Sequence, residues 1–156
     1  MNTLSLSPNA RVIEAASAIP CPPRAVWKTL TTPELIGQWI SMPLAGFEPA
    51  RGKRFTFQTT PAGAWDGLIR CQIVDLREGE RLSYTWESGD EANVGYGSRL
   101  DTLVSWDLRR TPQGTQLGLT HSGFVMPKNE SSYAALGGGW KKVIERIGEV
   151  AAKVPS

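Results

Sequence analysis

Apolar and polar residues alternate through most of the chain, which is the pattern of strands that bury one face. Phe55 and Phe57 alternate with polar neighbours, and the same period of two recurs in four later segments. The repeating positions there are Ile69, Cys71 and Ile73; Leu82, Tyr84 and Trp86; Thr102, Val104, Trp106 and Leu108; and Leu117, Leu119 and His121. Because turn residues such as those at 111–114 separate them, the pattern predicts an antiparallel meander.

Helical spacing interrupts the alternation near both ends of the chain. A first strand is predicted over residues 11–19, and the three prolines at 20, 22 and 23 end it. Apolar positions then predict a short helix and, after Thr32 and Pro33, a second one. From about Ser132 to Lys153 apolar residues recur every three or four positions, which predicts a long amphipathic helix. Its wide apolar stripe needs a wide partner, for which a strongly curved antiparallel sheet is suited.

Two local features leave alternatives open. Gly137, Gly138 and Gly139 stand inside the strongest helical pattern, although each glycine costs about 1 kcal/mol there. They form a joint between two helical pieces, or they leave space or let the helix end move, or they allow tight packing against a bulky neighbour. The Gly89 to Gly97 segment is either a solvated connection or a flap over a cavity mouth.

Strand boundaries are predicted from the same pattern. The strand that contains Ile69 is expected to start near Trp65. Farther along, Val74 and Leu76 are apolar on the opposite parity, which indicates a bulge or twist near that end.

Composition bounds the class of protein. The chain has 156 residues, of which 40% are apolar and 21% charged, so we expect a short flexible segment at 1–10 and one domain at 11–156. No apolar run is long enough to span a bilayer. The net charge of +2 does not indicate a nucleic-acid partner. Cys21 and Cys71 lack any motif spacing, and no signal peptide is recognisable, so a cytoplasmic protein with reduced thiols is predicted.

The single histidine limits the chemistry. His121 alone cannot supply a zinc triad or an HExxH site, and the chain has no GxSxG motif for a serine nucleophile. We therefore expect no metal and no cofactor. His121 is the only candidate general base, although a histidine bonded within the core is the simpler interpretation.

The order of these elements, with particular residues at particular spacings, resembles a known superfamily. The matching elements are Pro23-x-x-Val26-Trp27-x-x-Leu30-Thr31-x-Pro33-Glu34-Leu35, Gln38-Trp39, Gly52-x-x-Phe55-x-Phe57, Gly67-x-Ile69-x-Cys71, Glu80-Arg81-Leu82-Ser83-Tyr84-Thr85-Trp86, Val104-x-Trp106-x-Leu108, Thr111-Pro112-x-Gly114, Leu117-x-Leu119-Thr120-His121-Ser122-Gly123-Phe124 and Gly139-Trp140. Together they resemble the START/Bet v 1-like (SRPBCC) superfamily, and more narrowly the domain named after the C-terminal part of the activator of Hsp90 ATPase.

The resemblance implies an α+β helix-grip fold, in which a curved seven-stranded antiparallel sheet wraps around the C-terminal helix and two short helices follow the first strand. It also implies an elongated cavity for an apolar or amphipathic small molecule. Residues on the inward parity would line it with residues of the helix. These are Trp39, Phe55, Phe57, Ile69, Cys71, Tyr84, Trp86, Val104, Trp106, Leu119, His121, Phe124, Tyr133, Leu136, Trp140 and Ile144.

Three functions are consistent with this resemblance. The first, which is favoured over an enzyme, is binding of an apolar or amphipathic small molecule. The second is a stress-related interaction module that resembles the Hsp90 activator and binds a protein partner or a second copy of the chain. The third is a cyclase- or hydratase-like enzyme that uses His121 as its base.

Overall fold

The computed structural model describes residues 10–155, and within them three helices and seven strands form one α+β unit. In chain order these are β1 (Ala10–Ile19), α1 (Pro23–Thr31), α2 (Pro33–Trp39), β2 (Leu44–Ala45), β3 (Arg54–Gln58), β4 (Leu68–Arg77), β5 (Arg81–Ser88), β6 (Leu100–Thr111), β7 (Gly114–Val125) and α3 (Glu130–Ala151). The predicted flexible segment at 1–10 lies, apart from Ala10, outside the described residues.

All seven strands join one antiparallel sheet in the order β1-β7-β6-β5-β4-β3-β2. The period of two along β3 to β7 buries one face of this sheet, and α3 packs with β1, β7 and the two short helices. The predicted seven-stranded antiparallel architecture, with two short helices after the first strand and a C-terminal helix, is confirmed. None of the helices within residues 10–155 is long and apolar enough to cross a bilayer.

Strand β4 departs from the predicted boundary but contains the predicted bulge. It begins at Leu68 and not near Trp65, because Gly67 adopts a positive φ of 83° and turns the chain. Trp65 instead closes a tight turn with Ala62 and donates its indole N–H to the Leu68 carbonyl at 2.9 Å. The pairing with β5 shifts register between Ile73 and Asp75, at the parity change that indicated a bulge.

Helix α3 runs without interruption from Glu130 to Ala151, two residues earlier at each end than predicted. The three glycines lie inside it, so the interpretation as a joint between two helical pieces is wrong. A Cβ atom built on any of them has no atom within 4 Å, so tight packing against a neighbour is wrong as well. The interpretation that missing side chains leave space between helix and sheet agrees with the structure at Gly139, which lines a cavity there, whereas Gly138 is exposed.

The absence of atoms near the Cβ position of Gly138 leads to a prediction about stability. Replacing Gly138 by Ala raises the free energy of unfolding by about 0.5–1 kcal/mol, because alanine favours the helix and its Cβ meets nothing. Urea denaturation measures the change. The contrasting variant is Gly89→Ala, whose Cβ would overlap the Ser98 carbonyl at a residue with positive φ, and which lowers stability. A stability loss in Gly138→Ala contradicts the prediction.

Candidate ligand-binding site

A cluster of tryptophans joins α3 to the centre of the sheet. Trp140 packs edge-on against Trp86 and Trp106, with ring centroids 5.5 Å and 5.7 Å away. Trp106 in turn meets Trp39 of α2 edge-on at 5.7 Å. This geometry aligns the positive ring edges with the negative ring faces, and such pairs add about 0.5–1.5 kcal/mol beyond burial. The cluster therefore holds α2, α3 and the sheet together.

A buried hydrogen-bond chain runs through the same region. The Trp140 indole N–H donates to His121 Nδ1 at 2.9 Å, and His121 Nε2 lies 2.8 Å from Thr102 Oγ1. The Thr102 hydroxyl donates to the Trp86 carbonyl, so it accepts from Nε2, which carries the proton. One imidazole thereby connects α3 to β7 and β6.

His121 is held neutral at this position. The residue is fully buried, and burial lowers the pKa of its imidazole from 6.5 to about 3. Both ring nitrogens bond protein groups, so neither is free to accept a substrate proton. The geometry gives His121 a structural role, which agrees with the core interpretation and gives no support to a general base.

A cavity of about 290 Å³ lies beside this chain, under the N-terminal half of α3. Its floor is formed by the ends of β4 and β5, its roof by α3, and its sides by the segments after α2, β3 and β5. Most of its lining atoms belong to apolar or aromatic side chains. The lining residues are Ile40, Met42, Thr59, Trp65, Ile69, Trp86, Ser88, Tyr96, Gly97, Ser98, Leu100, Ser132, Ala135, Leu136, Gly139, Trp140 and Val143.

Only part of the predicted lining meets at this cavity. Ile69, Trp86, Leu136 and Trp140 line it. Tyr133 is half-buried against the core. The other predicted residues are buried in the core beside the cavity and do not line it; they are Trp39, Phe55, Phe57, Cys71, Tyr84, Val104, Trp106, Leu119, His121, Phe124 and Ile144. The helices and the tryptophan cluster cover the middle of the sheet, so its inward residues touch each other and not the cavity.

Several lining residues were missed because they lie outside the regular strands. Trp65 belongs to a turn, Ile40 and Met42 to the segment after α2, and Tyr96 to the loop after β5. Strand parity carries no information about such positions. Two signals in the sequence pointed to such positions: the glycine run, since Gly139 lines the cavity, and the Gly89 to Gly97 segment, which contributes Tyr96 and Gly97.

Two loops at the rim are tied together by Asn93. Its Nδ2 donates to the Ala62 carbonyl at 2.7 Å and to the Gly97 carbonyl at 3.0 Å, while Oδ1 accepts the Ala64 N–H at 3.0 Å. Nearby, the rings of Trp65 and Tyr96 meet edge-on at 6.4 Å. The Gly89 to Gly97 segment therefore forms part of the rim, anchored to the turn that precedes β4.

Cys71 and Tyr84 are the other two titratable side chains on the inward face of the described sheet whose pKa is shifted by burial. Burial raises the pKa of both the Cys71 thiol and the Tyr84 phenol, and the Tyr84 oxygen accepts the Trp106 indole N–H at 3.0 Å. Both groups are neutral at physiological pH, so Cys71 is a small core residue and not a nucleophile. Within residues 10–155, no three histidine, cysteine or carboxylate side chains are placed to hold a metal ion.

Comparison with known proteins identifies the type of fold that carries this cavity. Residues 20–152 match the sequence profile of AHSA1, described as activator of Hsp90 ATPase homolog 1-like protein. No curated protein matches the chain.

Solved structures are similar over nearly the whole chain. Protein MLL2253 from Mesorhizobium loti is 29% identical, and the match spans 94% of this chain and 100% of that one with a TM-score of 0.78. Protein NE0264 from Nitrosomonas europaea is 16% identical over 96% and 99%, with a TM-score of 0.70. CalU16 from Micromonospora echinospora is 20% identical over 92% and 76%, with a TM-score of 0.65. The last two share the fold with this chain.

The neutral His121 makes stability depend on pH. The unfolded chain binds a proton near pH 6.5 that the folded chain binds only near pH 3. His121 thus lowers the free energy of unfolding by about 2 kcal/mol between pH 7 and pH 5, and its full contribution returns above pH 7. Urea denaturation at each pH measures this loss. The His121→Gln variant has no titrating ring and lacks this component; an equal pH dependence in both proteins contradicts the assignment.

Proposed function

Because the chain belongs to the AHSA1 family of activator of Hsp90 ATPase homolog 1-like proteins, we propose that it binds an apolar small molecule between sheet and helix. The fold of this family typically binds ligands in a cavity. The single observation that carries the proposal for this chain is the cavity of about 290 Å³ under α3. Its size lies just below the usual range of about 300–1,000 Å³ for ligand pockets, which favours a small ligand.

The walls suit an apolar guest. Three tryptophans, Trp65, Trp86 and Trp140, face the cavity together with Leu136 and Val143. Moving apolar ligand surface from water against such side chains gains about 25 cal/mol per Å². Aromatic rings also offer flat contact surfaces, and their shape selects ligands with rings or stiff chains.

Binding is favoured over catalysis by the chemistry of the lining. The described lining residues include no aspartate, glutamate, histidine, lysine or arginine. General acid–base catalysis needs a group that exchanges a proton near the operating pH, and His121 bonds protein groups on both sides. The proposal is therefore a binding protein. Among the described lining residues, the enzyme alternative finds no histidine or carboxylate to act as its base.

The protein partner, the stress-related role and the cellular location stay predictions. Family members can bind small molecules or proteins, so the interaction module that binds a protein partner or a second copy stays an alternative. The stress-related role belongs to that alternative. The cytoplasmic location is part of the proposal, and the two buried free thiols, Cys21 and Cys71, suit a reducing compartment.

The proposal is tested by closing the cavity from the helix. Replacing Gly139 by Leu places a side chain into the space that Gly139 lines, and we expect ligand affinity to fall at least tenfold. Saturable changes in tryptophan fluorescence, measured with a panel of naphthalenes, fatty acids and aromatic polyketides, report binding because three tryptophans form the wall.

The matched control is Gly138→Leu, which makes the same change at the neighbouring exposed position outside the cavity. It should bind like the unmodified protein. The proposal fails if the unmodified protein gives no saturable change with any class of compound, or if Gly139→Leu binds as tightly as Gly138→Leu.

A further inference from the structure

Three polar side-chain groups at the cavity have no hydrogen-bond partner within residues 10–155. They are the indole N–H of Trp86 and the hydroxyls of Ser88 and Ser132. Their residues are only 2%, 8% and 5% exposed. Most polar side-chain groups inside proteins are paired within the fold. Three unpaired ones beside a largely apolar cavity are therefore available to a bound molecule.

These groups open into the cavity. In the described part of the chain, every fully buried side-chain nitrogen or oxygen has a partner. An unpartnered group must therefore reach open space, and the space that these three residues line is the cavity. By contrast, Ser98 also lines the cavity, but its hydroxyl donates to the Lys128 carbonyl and accepts from Asn129. The Ser98 hydroxyl is thus hydrogen-bonded within the protein, whereas the Trp86 N–H and the hydroxyls of Ser88 and Ser132 are not.

The three groups lie at the same end of the cavity. Trp86 and Ser88 are two residues apart on β5 and face the same side. Ser88 pairs with Leu100, and the Asn129 amide donates to the carbonyl of Arg99, the neighbour of Leu100. Asn129 directly precedes α3, so Ser132 in the first turn of that helix lies near the end of β5.

We infer that the ligand of the proposed site carries a neutral acceptor oxygen, such as a ketone or ester carbonyl, directed at Trp86, Ser88 and Ser132. An indole N–H can only donate, so its partner must be an acceptor. The hydroxyls of Ser88 and Ser132 can donate as well, so the cavity offers up to three donors to an acceptor oxygen. The inference rests on the proposed function and specifies the ligand that it leaves open.

The oxygen belongs to an uncharged group. The described lining residues supply no lysine, arginine or histidine that could pair with a carboxylate, and burying an unpaired charge is costly. A fatty acid anion therefore loses more on leaving water than these neutral donors return. A ketone of similar shape loses much less. The cavity is thus expected to distinguish two ligands of equal size by charge alone.

Three naphthalenes of similar shape separate the effect of the acceptor oxygen on affinity from the effect of ligand charge. 2-Acetylnaphthalene has a neutral carbonyl, 2-ethylnaphthalene lacks the acceptor, and 2-naphthoate is an anion. Each neutral hydrogen bond contributes about three- to tenfold in affinity, so the acetyl compound should bind at least threefold tighter than the ethyl compound. It should also bind at least tenfold tighter than the naphthoate. Titrations followed by the indole N–H resonance of Trp86 give both the affinity and the site of contact.

Variants assign the effect to the named groups. Ser88→Ala and Ser132→Ala should each reduce the preference for the acetyl over the ethyl compound, and Trp86→Phe should do so without removing the ring. The matched control is Ser131→Ala, which makes the same change at the exposed neighbour of Ser132, outside the cavity, and leaves the preference unchanged. Thermal unfolding of each variant checks the fold, and the serine variants carry the test if Trp86→Phe does not fold.

The outcomes separate this inference from the proposed function. If the acetyl and ethyl compounds bind equally, or the naphthoate binds best, the inference is overturned while binding of apolar molecules stands. If the preference persists in Ser88→Ala and Ser132→Ala, the assigned groups are wrong. If none of the three compounds binds, both the inference and the proposed function fail for this class of ligand.

Discussion

The position of α3 above the sheet depends on one buried hydrogen-bond chain, from the Trp140 indole through His121 to Thr102. Every polar side-chain atom in it has a partner, since the Thr102 hydroxyl donates a hydrogen bond to the Trp86 carbonyl. A fully satisfied network of this kind in a low-dielectric core fixes one geometry, because any shift of the helix breaks a bond that water cannot replace. The packed tryptophans then set how closely helix and sheet approach.

The two halves of α3 have different surroundings on either side of Trp140. Toward the C-terminus, Ile144, Ile147 and Val150 are buried and fill the space against the sheet and the short helices. Toward the N-terminus, Ala135 and Gly139 present little or no side chain and the cavity begins. The C-terminal part of the helix therefore contributes packing, and the part around Gly139 forms a wall of the cavity. The unfavourable helix propensity of Gly139 accompanies that open space.

Much of the fold could be predicted because its signals are local. A period of two placed Tyr84, Trp86 and His121 on the buried face, and recurrence at three and four positions located α3. The two-residue strand Leu44–Ala45 carries no period and was not predicted.

The cavity was harder to predict. Whether an inward residue meets a ligand or another side chain depends on what covers it, and that is decided by contacts far apart in sequence. Phe57 and Trp106 share the inward face with Trp86 yet are buried in the core and do not line the cavity. Tyr96 reaches the cavity from a loop whose path no propensity specifies. Pairing between Trp140 and His121 likewise joins residues on separate elements, so their roles became visible only in three dimensions.

The bonds of Asn93 have a mechanical consequence for entry to the cavity. One amide side chain joins the loop after β5 to the turn before β4 through two bonds, and a third bond to Gly97 braces its own loop. A displacement of either loop at this rim therefore breaks hydrogen bonds to the other, which couples the two segments mechanically.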